Sequence, residues 1–131
     1  MKRFLAAAAL ALTTFAAMAQ SFTLSISGDI PKDAREVLEQ RFTQMLESGG
    51  FTVEADAQPL EVTATINESL TTPGSMSQKV LVVDVKAVAG EVEEVFTVKG
   101  VGKDTNDAWL RAVKQLLPSS RAAKEFLQKL R

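Results

Sequence analysis

Apolar and polar residues alternate along residues 79–101, and this pattern predicts a β-hairpin around which the rest of the chain is organised. Every second residue of the first arm is apolar, which places these side chains on one face of an extended strand. On the second arm, Val92, Phe96 and Val98 share a face that Glu94 interrupts. Gly90 lies between the arms and permits the positive φ that tight hairpin turns require. The residues of the first arm predicted to face the core are Leu81, Val83, Val85, Ala87 and Ala89.

The segment before the hairpin predicts a strand followed by an amphipathic helix. Residues 22–26 alternate apolar and polar side chains, as in a strand with one buried face. Apolar residues then recur at three- and four-residue spacing over residues 34–46, which predicts a helix with one apolar stripe. Pro31 suits the first turn of this helix. Gly49-Gly50 predicts its end, with a left-handed cap at one of the two glycines.

Shorter segments connect this helix to the hairpin. Residues 51–53 form a short extended piece, residues 55–59 a connection, and residues 61–67 another alternating strand. Residues 69–78 are small and polar, with Pro and Gly in the middle, and are predicted to be a loop.

Two helices are predicted after the hairpin. Asp104 or Thr105 caps the first, which Pro118 ends, and Ser119 or Ser120 caps the second. The first has an apolar stripe that we expect to be buried, made up of Trp109, Leu110, Val113, Leu116 and Leu117.

These elements together predict an α+β domain. The expected architecture is a two-layer sandwich, with a mainly antiparallel sheet of four to five strands and two main helices on one face. The element order is β-α-β-β-β-α plus a short C-terminal helix. A chain of 131 residues has room for one such domain.

The amino terminus has the three-part pattern of a secretory signal peptide. We therefore expect residues 1–19 to be cleaved and residues 20–131 to form the single domain. Lys2 and Arg3 make a short basic region, an Ala- and Leu-rich run follows, and Ala17-Met18-Ala19 offers small residues to a signal peptidase. The apolar run is far shorter than the roughly 20 residues of a membrane-spanning helix. The alternative is that residues 1–19 are not cleaved and anchor the protein in the membrane.

Charge and cysteine content narrow the location and the partners. Cleavage removes two basic residues and no acid, so the formal net charge changes from −1 to −3. Mild acidity speaks against nucleic acid as a partner. The chain has no cysteine, which excludes disulfides and a lipid-modified cysteine. We expect a bacterial protein that is periplasmic or secreted and does not span a membrane after cleavage.

Two motifs resemble a group of bacterial envelope domains. Residues 45–53 look like the helix end, small turn and aromatic–x–Val strand of that group, and residues 82–102 resemble its hairpin followed by Gly-x-Gly and a helix. The group includes the amino-terminal domain of TolB, the penicillin-binding-protein activator lipoproteins and the curli secretion lipoprotein. The similarity covers residues 22–117 and implies this fold, an envelope address and a protein-interaction role. The chain departs from the lipoprotein members in having no acceptor cysteine, and its turn has Ala89 in place of their Thr.

Few side chains remain for catalysis. His, Cys and Tyr are all absent, which excludes Cys/His zinc sites, histidine triads and thiol chemistry. Asp84 lies mid-strand among valines and is either an acid of raised pKa or one member of a charge pair with Lys86 or Lys99. The acidic residues at the hairpin tip, Glu91, Glu93 and Glu94, are either calcium ligands or a solvated tip, and the latter is favoured because no loop wraps them.

Three further features have a functional and a structural interpretation. Gly100-x-Gly102 before a helix is similar to a phosphate cradle but lacks its third glycine and its lysine. Trp109 is either a binding aromatic or, as its spacing favours, part of the core. The basic residues Lys103, Arg111 and Lys114 mark either a solvated helix face or a rim for an acidic partner.

We therefore expect no enzyme and assign no catalytic, cofactor-binding or metal-binding residue. The favoured function is a protein-interaction or accessory module whose partner is an envelope protein, with the exposed sheet face or an edge strand as the contact surface. The alternative is a carrier of a small apolar ligand held between helices and sheet, with room provided by Ala64, Ala87, Ala89, Ala108 and Ala112. A hydrolase that uses carboxylates alone would need Asp84 paired with Asp29 or Glu94.

Overall fold

Five strands and three helices make up residues 20–74 and 76–131, the part of the chain that this computed structural model describes. The predicted leader and its cleavage before Gln20 therefore lie outside the described residues, apart from Gln20 itself. The elements in chain order are β1 (Ser21–Gly28), α1 (Lys32–Ser48), β2 (Thr52–Val53), β3 (Gln58–Thr71), β4 (Lys79–Ala89), β5 (Val92–Gly102), α2 (Thr105–Lys114) and α3 (Arg121–Leu130).

The strands form one mixed sheet in the order β2-β1-β3-β4-β5. β1 is parallel to both β2 and β3. Parallel strands need a crossover connection, and α1 provides it between β1 and β2. β3, β4 and β5 pair antiparallel, and these are the longer pairings. The predicted α+β sandwich is confirmed.

The hairpin of β4 and β5 is confirmed as predicted. Ala89 pairs with Val92 across the turn, where Gly90 has φ 62°. The apolar alternation faces the helices, and all five predicted core residues of β4 are buried. On β5, Phe96 and Val98 are buried on the same face.

β3 is longer than predicted at both ends, so the predicted connection at 55–59 and loop at 69–78 are partly wrong. A β-bulge at Asn67 interrupts the alternation, yet residues 68–71 continue to pair with residues 79–82 of β4. Pro59 is tolerated within the strand because pairing with β4 begins only at Glu61, so the missing N–H breaks no bond on that side.

The core lies between the sheet and the helices. Phe42 of α1, Phe96 of β5 and Phe126 of α3 meet edge to face, with ring centroids 5.6, 5.9 and 6.5 Å apart. Trp109 of α2 is buried in the same core, so all three helices pack on one face of the sheet.

The ends of the helices follow the predicted signals with one exception. Gly50 takes the left-handed cap of α1 with φ 88°, and Asp104 and Ser120 cap α2 and α3 through their side chains. α2 stops at Lys114, before Pro118. The predicted buried stripe of α2 is wrong at two positions, since Leu117 is exposed and Leu110 is half-buried. Among the described residues, no helix has the length and apolar character needed to cross a bilayer.

Candidate functional site

The outer edge of β5 is free of any partner strand within residues 20–74 and 76–131. β5 is the last strand of the sheet and has 11 residues, whereas β2, the strand at the other end, has two. Alternate residues of an antiparallel edge strand direct their N–H and C=O groups outward. Such a row of unpaired groups is a template for another strand.

Two glycines bring helix α2 directly against this edge strand. A Cβ on Gly100 would lie 2.0 Å from the carbonyl oxygen of Ala108, and one on Gly102 would lie 2.6 Å from the amide nitrogen of Ala108. The glycines of the Gly-x-Gly motif therefore serve close helix–strand packing. The helix start offers little to a phosphate, because Asp104 already accepts the N–H of Asp107 at 2.8 Å.

A groove of about 580 Å³ runs between the end of β5 and the flank of α2. β5 contributes Lys99 and Val101, and α2 contributes the rest of the lining. Val101 is exposed and Leu110 is half-buried, so the groove has an apolar base beside a cationic rim. The residues of α2 that line it are Asp107, Leu110, Arg111, Lys114 and Gln115.

Among the described residues, Asp107 is the single acidic side chain that lines the groove, and it has hydrogen-bond partners within the domain. Its Oδ2 accepts the backbone N–H of Lys103 at 3.1 Å and the Nε–H of Arg111 at 3.2 Å. The Lys103 N–H lowers the pKa of Asp107 most. Desolvation opposes it, and the hydrogen bond and charge of Arg111 lower the pKa further, so that it lies below its usual value. Asp107 therefore anchors Arg111 at neutral pH.

The cations around the groove come from two separate elements. Arg111 and Lys114, two members of the basic set identified in the sequence, line it, and Lys103 lies in the turn that precedes α2. Sequence reasoning missed Lys99, because alternation places it on the open face of the sheet. The available signal was Gly100-x-Gly102, which indicates that α2 packs on this part of β5.

Asp84 lies on the open face of the sheet, with neutral partners instead of the predicted lysine. Asn67 donates to its Oδ2 at 2.9 Å and Thr97 to its Oδ1 at 2.9 Å. Lys86 instead pairs with Glu93 at 3.6 Å. Because Asn67 is the bulge residue of β3, Asp84 ties the bulge to β5 across the strand between them.

The remaining acidic candidates are dispersed. Glu94 lies on the helix side of the sheet, where it accepts a hydrogen bond from Lys129 at 2.8 Å, and this bond raises the pKa of Lys129. Asp84 projects from the opposite face, and Asp29 is exposed beyond the end of β1, so these carboxylates do not form the pair a hydrolase needs. Within the described ranges no three potential metal ligands cluster, and Glu91 is exposed at the hairpin tip.

Two of the alanines proposed to leave room for a ligand lie in close helix–strand packing instead. Trp109 is buried in the core, and the alanines proposed to leave space are all buried. At Ala108 and Ala112 the space is taken up by the close contact of the α2 backbone with Gly100. A second groove, of about 460 Å³, lies at the surface where α3 meets the end of α1, beside Gly49 and Leu127.

No family model and no curated protein matches this chain. Among solved structures it is similar to a minor lipoprotein from Acinetobacter baumannii, with 12% identity, a TM-score of 0.47, and coverage of 85% of this chain and 91% of that one. PelC from Paraburkholderia phytofirmans, solved as a dodecamer, has 17% identity and a TM-score of 0.44, with 83% and 86% of the two chains covered. Rare lipoprotein B from Shewanella oneidensis has 16% identity and a TM-score of 0.39, with 85% and 93% covered.

These neighbours include bacterial lipoproteins, but with identities of 12–17% and TM-scores below 0.5 they carry no argument about what this chain does. The more specific likeness to the TolB, penicillin-binding-protein activator and curli secretion domains stays a prediction.

Proposed function

We propose that this protein is an exported, non-catalytic interaction module of the bacterial cell envelope, and that it binds a protein partner along the edge of β5. The observation that carries the proposal is the 11-residue edge strand β5, whose outer side has no neighbouring strand among the described residues and is flanked by the groove beside α2. An edge strand next to a helix flank is an arrangement that accepts an extended peptide.

Such a site supplies affinity and specificity from different groups. The outward N–H and C=O groups of β5 would pair with the backbone of the incoming segment, whatever its sequence. Val101 and Leu110 would contact apolar side chains of that segment, while Lys99 and Lys114 would select its charge.

An exposed apolar row extends this surface across the open face of the sheet. Val101 lies beside Val80, and Val80 lies beside Leu70 on β3. Val101 is 37% exposed and Leu70 52% exposed. Contiguous exposed apolar residues next to an open edge are typical of a contact surface.

The envelope address rests on the sequence. The basic start, the short apolar run and Ala17-Met18-Ala19 have the order of a cleaved leader. We further propose that the domain belongs to the TolB-like group of envelope domains that its motifs resemble.

The non-catalytic role rests on the available chemistry. The sequence has neither His nor Cys, and Asp84, Glu94 and Asp107 each have partners within the domain. A carboxylate engaged by a lysine, an arginine or two neutral donors is an ordinary structural group.

Site-specific photo-crosslinking in intact cells tests the proposal. A photoreactive residue at Val101 should give a discrete protein adduct in the envelope fraction. Ile66 on β3 is the matched control, because it is an apolar residue of the same exposure, 36% against 37%, away from the groove. The absence of an adduct from Val101 under several growth conditions, or the same adducts from both positions, would overturn the proposal.

A further inference from the structure

The charge of the groove identifies the class of its occupant. We propose that β5 receives an extended acidic segment of a partner protein, which adds to the sheet as a sixth strand beside residues 97–102. This inference rests on the proposed function and specifies the partner of the same site.

The two faces of an added strand would meet different residues. Side chains of a strand alternate between faces, so one set of the incoming residues would lie on the open face next to Lys99 and Val101. The other set would lie on the helix side, next to Leu110 and Lys114 of α2. Acidic residues on either face of the segment would therefore reach an ammonium group.

These ammonium groups have no internal counter-ion in the described parts of the chain. No carboxylate lies within 4 Å of Nζ of Lys99, Lys103 or Lys114 there, and the same holds for Lys32, Lys79 and Lys124. Lys99 and Lys114 differ from those other lysines in that both line one groove beside an open strand edge. The acidic side chain in the groove, Asp107, is already held by Arg111 and by the N–H of Lys103. The chain as a whole has a net charge of −1, so this cationic rim is a local feature.

The same charge disfavours a second copy of this chain as the occupant. In a symmetric pairing of two β5 edges, residue i of one copy contacts residue j of the other, and like residues meet only at the twofold axis. A pairing centred on residues 97–102, the stretch beside the groove, would place Lys99 of one copy opposite or next to Lys99 of the other, and like charges facing each other across strands are destabilising. A lysine on an edge strand is a common means by which proteins avoid such self-pairing. An acidic strand meets no such repulsion.

Peptide binding to the exported protein tests the inference. The probe is a fluorescent eight-residue peptide that alternates Val and Glu. Matched peptides replace Glu with Gln or with Lys, and a further version carries N-methyl groups along one backbone edge. The Glu peptide should bind about tenfold more tightly than the Gln peptide, and its affinity should fall as salt rises, because the charges are exposed. The Lys peptide and the N-methylated peptide should not bind.

Charge neutralisation on the protein supplies the complementary test. Lys99→Gln combined with Lys114→Gln should remove the advantage of Glu over Gln. Lys32→Gln, an exposed lysine at the start of α1, is the control and should retain it. Circular dichroism shows whether each variant is folded.

Different outcomes separate the two proposals. Equal binding of the Glu and Lys peptides, full binding of the N-methylated peptide, or a β5-dependent dimer in light scattering would overturn the acidic-strand inference. If Val101 still crosslinks to a protein in the envelope, the proposed function survives that result. Failure of both the crosslink and the peptide would remove both.

Discussion

Gly100 and Ala108 lie in backbone-to-backbone contact, close enough that a Cβ on Gly100 would fall 2.0 Å from the carbonyl oxygen of Ala108. Position 100 requires glycine because any side chain there would clash with the backbone of α2. This contact places α2 directly on β5, and the flank of α2 therefore stands beside the open edge of the sheet. The width of the groove depends on it.

Gly100→Ala should destabilise the domain by about 3 kcal/mol, at the upper end of the usual cost of overpacking, because the obstructing atoms are helix backbone. Urea unfolding followed by far-UV circular dichroism measures the effect. Gly50→Ala is the control: it has open space around it but φ 88°, so it should cost only about 1 kcal/mol from the left-handed backbone. Equal losses for the two variants would contradict the packing role of Gly100.

The Phe42, Phe96 and Phe126 cluster joins α1, β5 and α3, and Phe126→Ala should cost about 3–5 kcal/mol by leaving a cavity at that junction. The midpoint of denaturant unfolding reports the change. Leu117→Ala, which removes an exposed apolar side chain, should change stability by less than about 0.5 kcal/mol. A small effect of Phe126→Ala would mean that α3 contributes little to the core.

Asp84→Ala should cost about 1–2 kcal/mol, because two donors, one of them on the bulge residue Asn67, lose a charged acceptor. Hydrogen exchange near Asn67 should accelerate in the same variant. Glu93→Ala, which breaks the solvent-exposed pair with Lys86, is the control and should cost less than about 1 kcal/mol. Equal costs, with no change in exchange at the bulge, would show that Asp84 does not hold it.

Local patterns predicted the elements well where one face is buried and the period is regular. In β4 the five core residues follow a period of two without interruption, so strand, face and hairpin register could all be read. The end of β3 could not be predicted from the sequence. The bulge at Asn67 shifts the alternation, and the mostly polar residues after it pair with β4 through their backbones. Backbone pairing leaves no hydrophobic signature.

The groove was predictable only in part. The basic residues of α2 were visible as a set, but Lys99 joins them only because α2 packs on β5 and because β5 ends the sheet. That β5 lies at the edge follows from the strand order of the sheet, in which β1 lies between β2 and β3 and therefore not beside β5. A strand's own sequence says little about how many neighbours it has. The spacing of Gly100 and Gly102 before Ala108 and Ala112 held the one local clue to the contact.

Asp107 should make the stability of the domain depend on pH in the acid range. The pKa of Asp107 is held below its usual value, first by the backbone N–H of Lys103 and further by Arg111, so the folded state favours the charged form. The stabilisation that the charged Asp107 provides is fully present above its pKa in the unfolded state. It is lost as the pH falls through the lower pKa of the folded state. Thermal unfolding of wild type and Asp107→Asn should therefore differ at pH 6 and converge as the pH falls through the lowered pKa of Asp107 in the folded state. Arg111→Gln removes the weaker of the two favourable contacts and should show a smaller acid-dependent difference. A gap between wild type and Asp107→Asn that stays constant down to pH 2 would mean that the role of this side chain is independent of its charge.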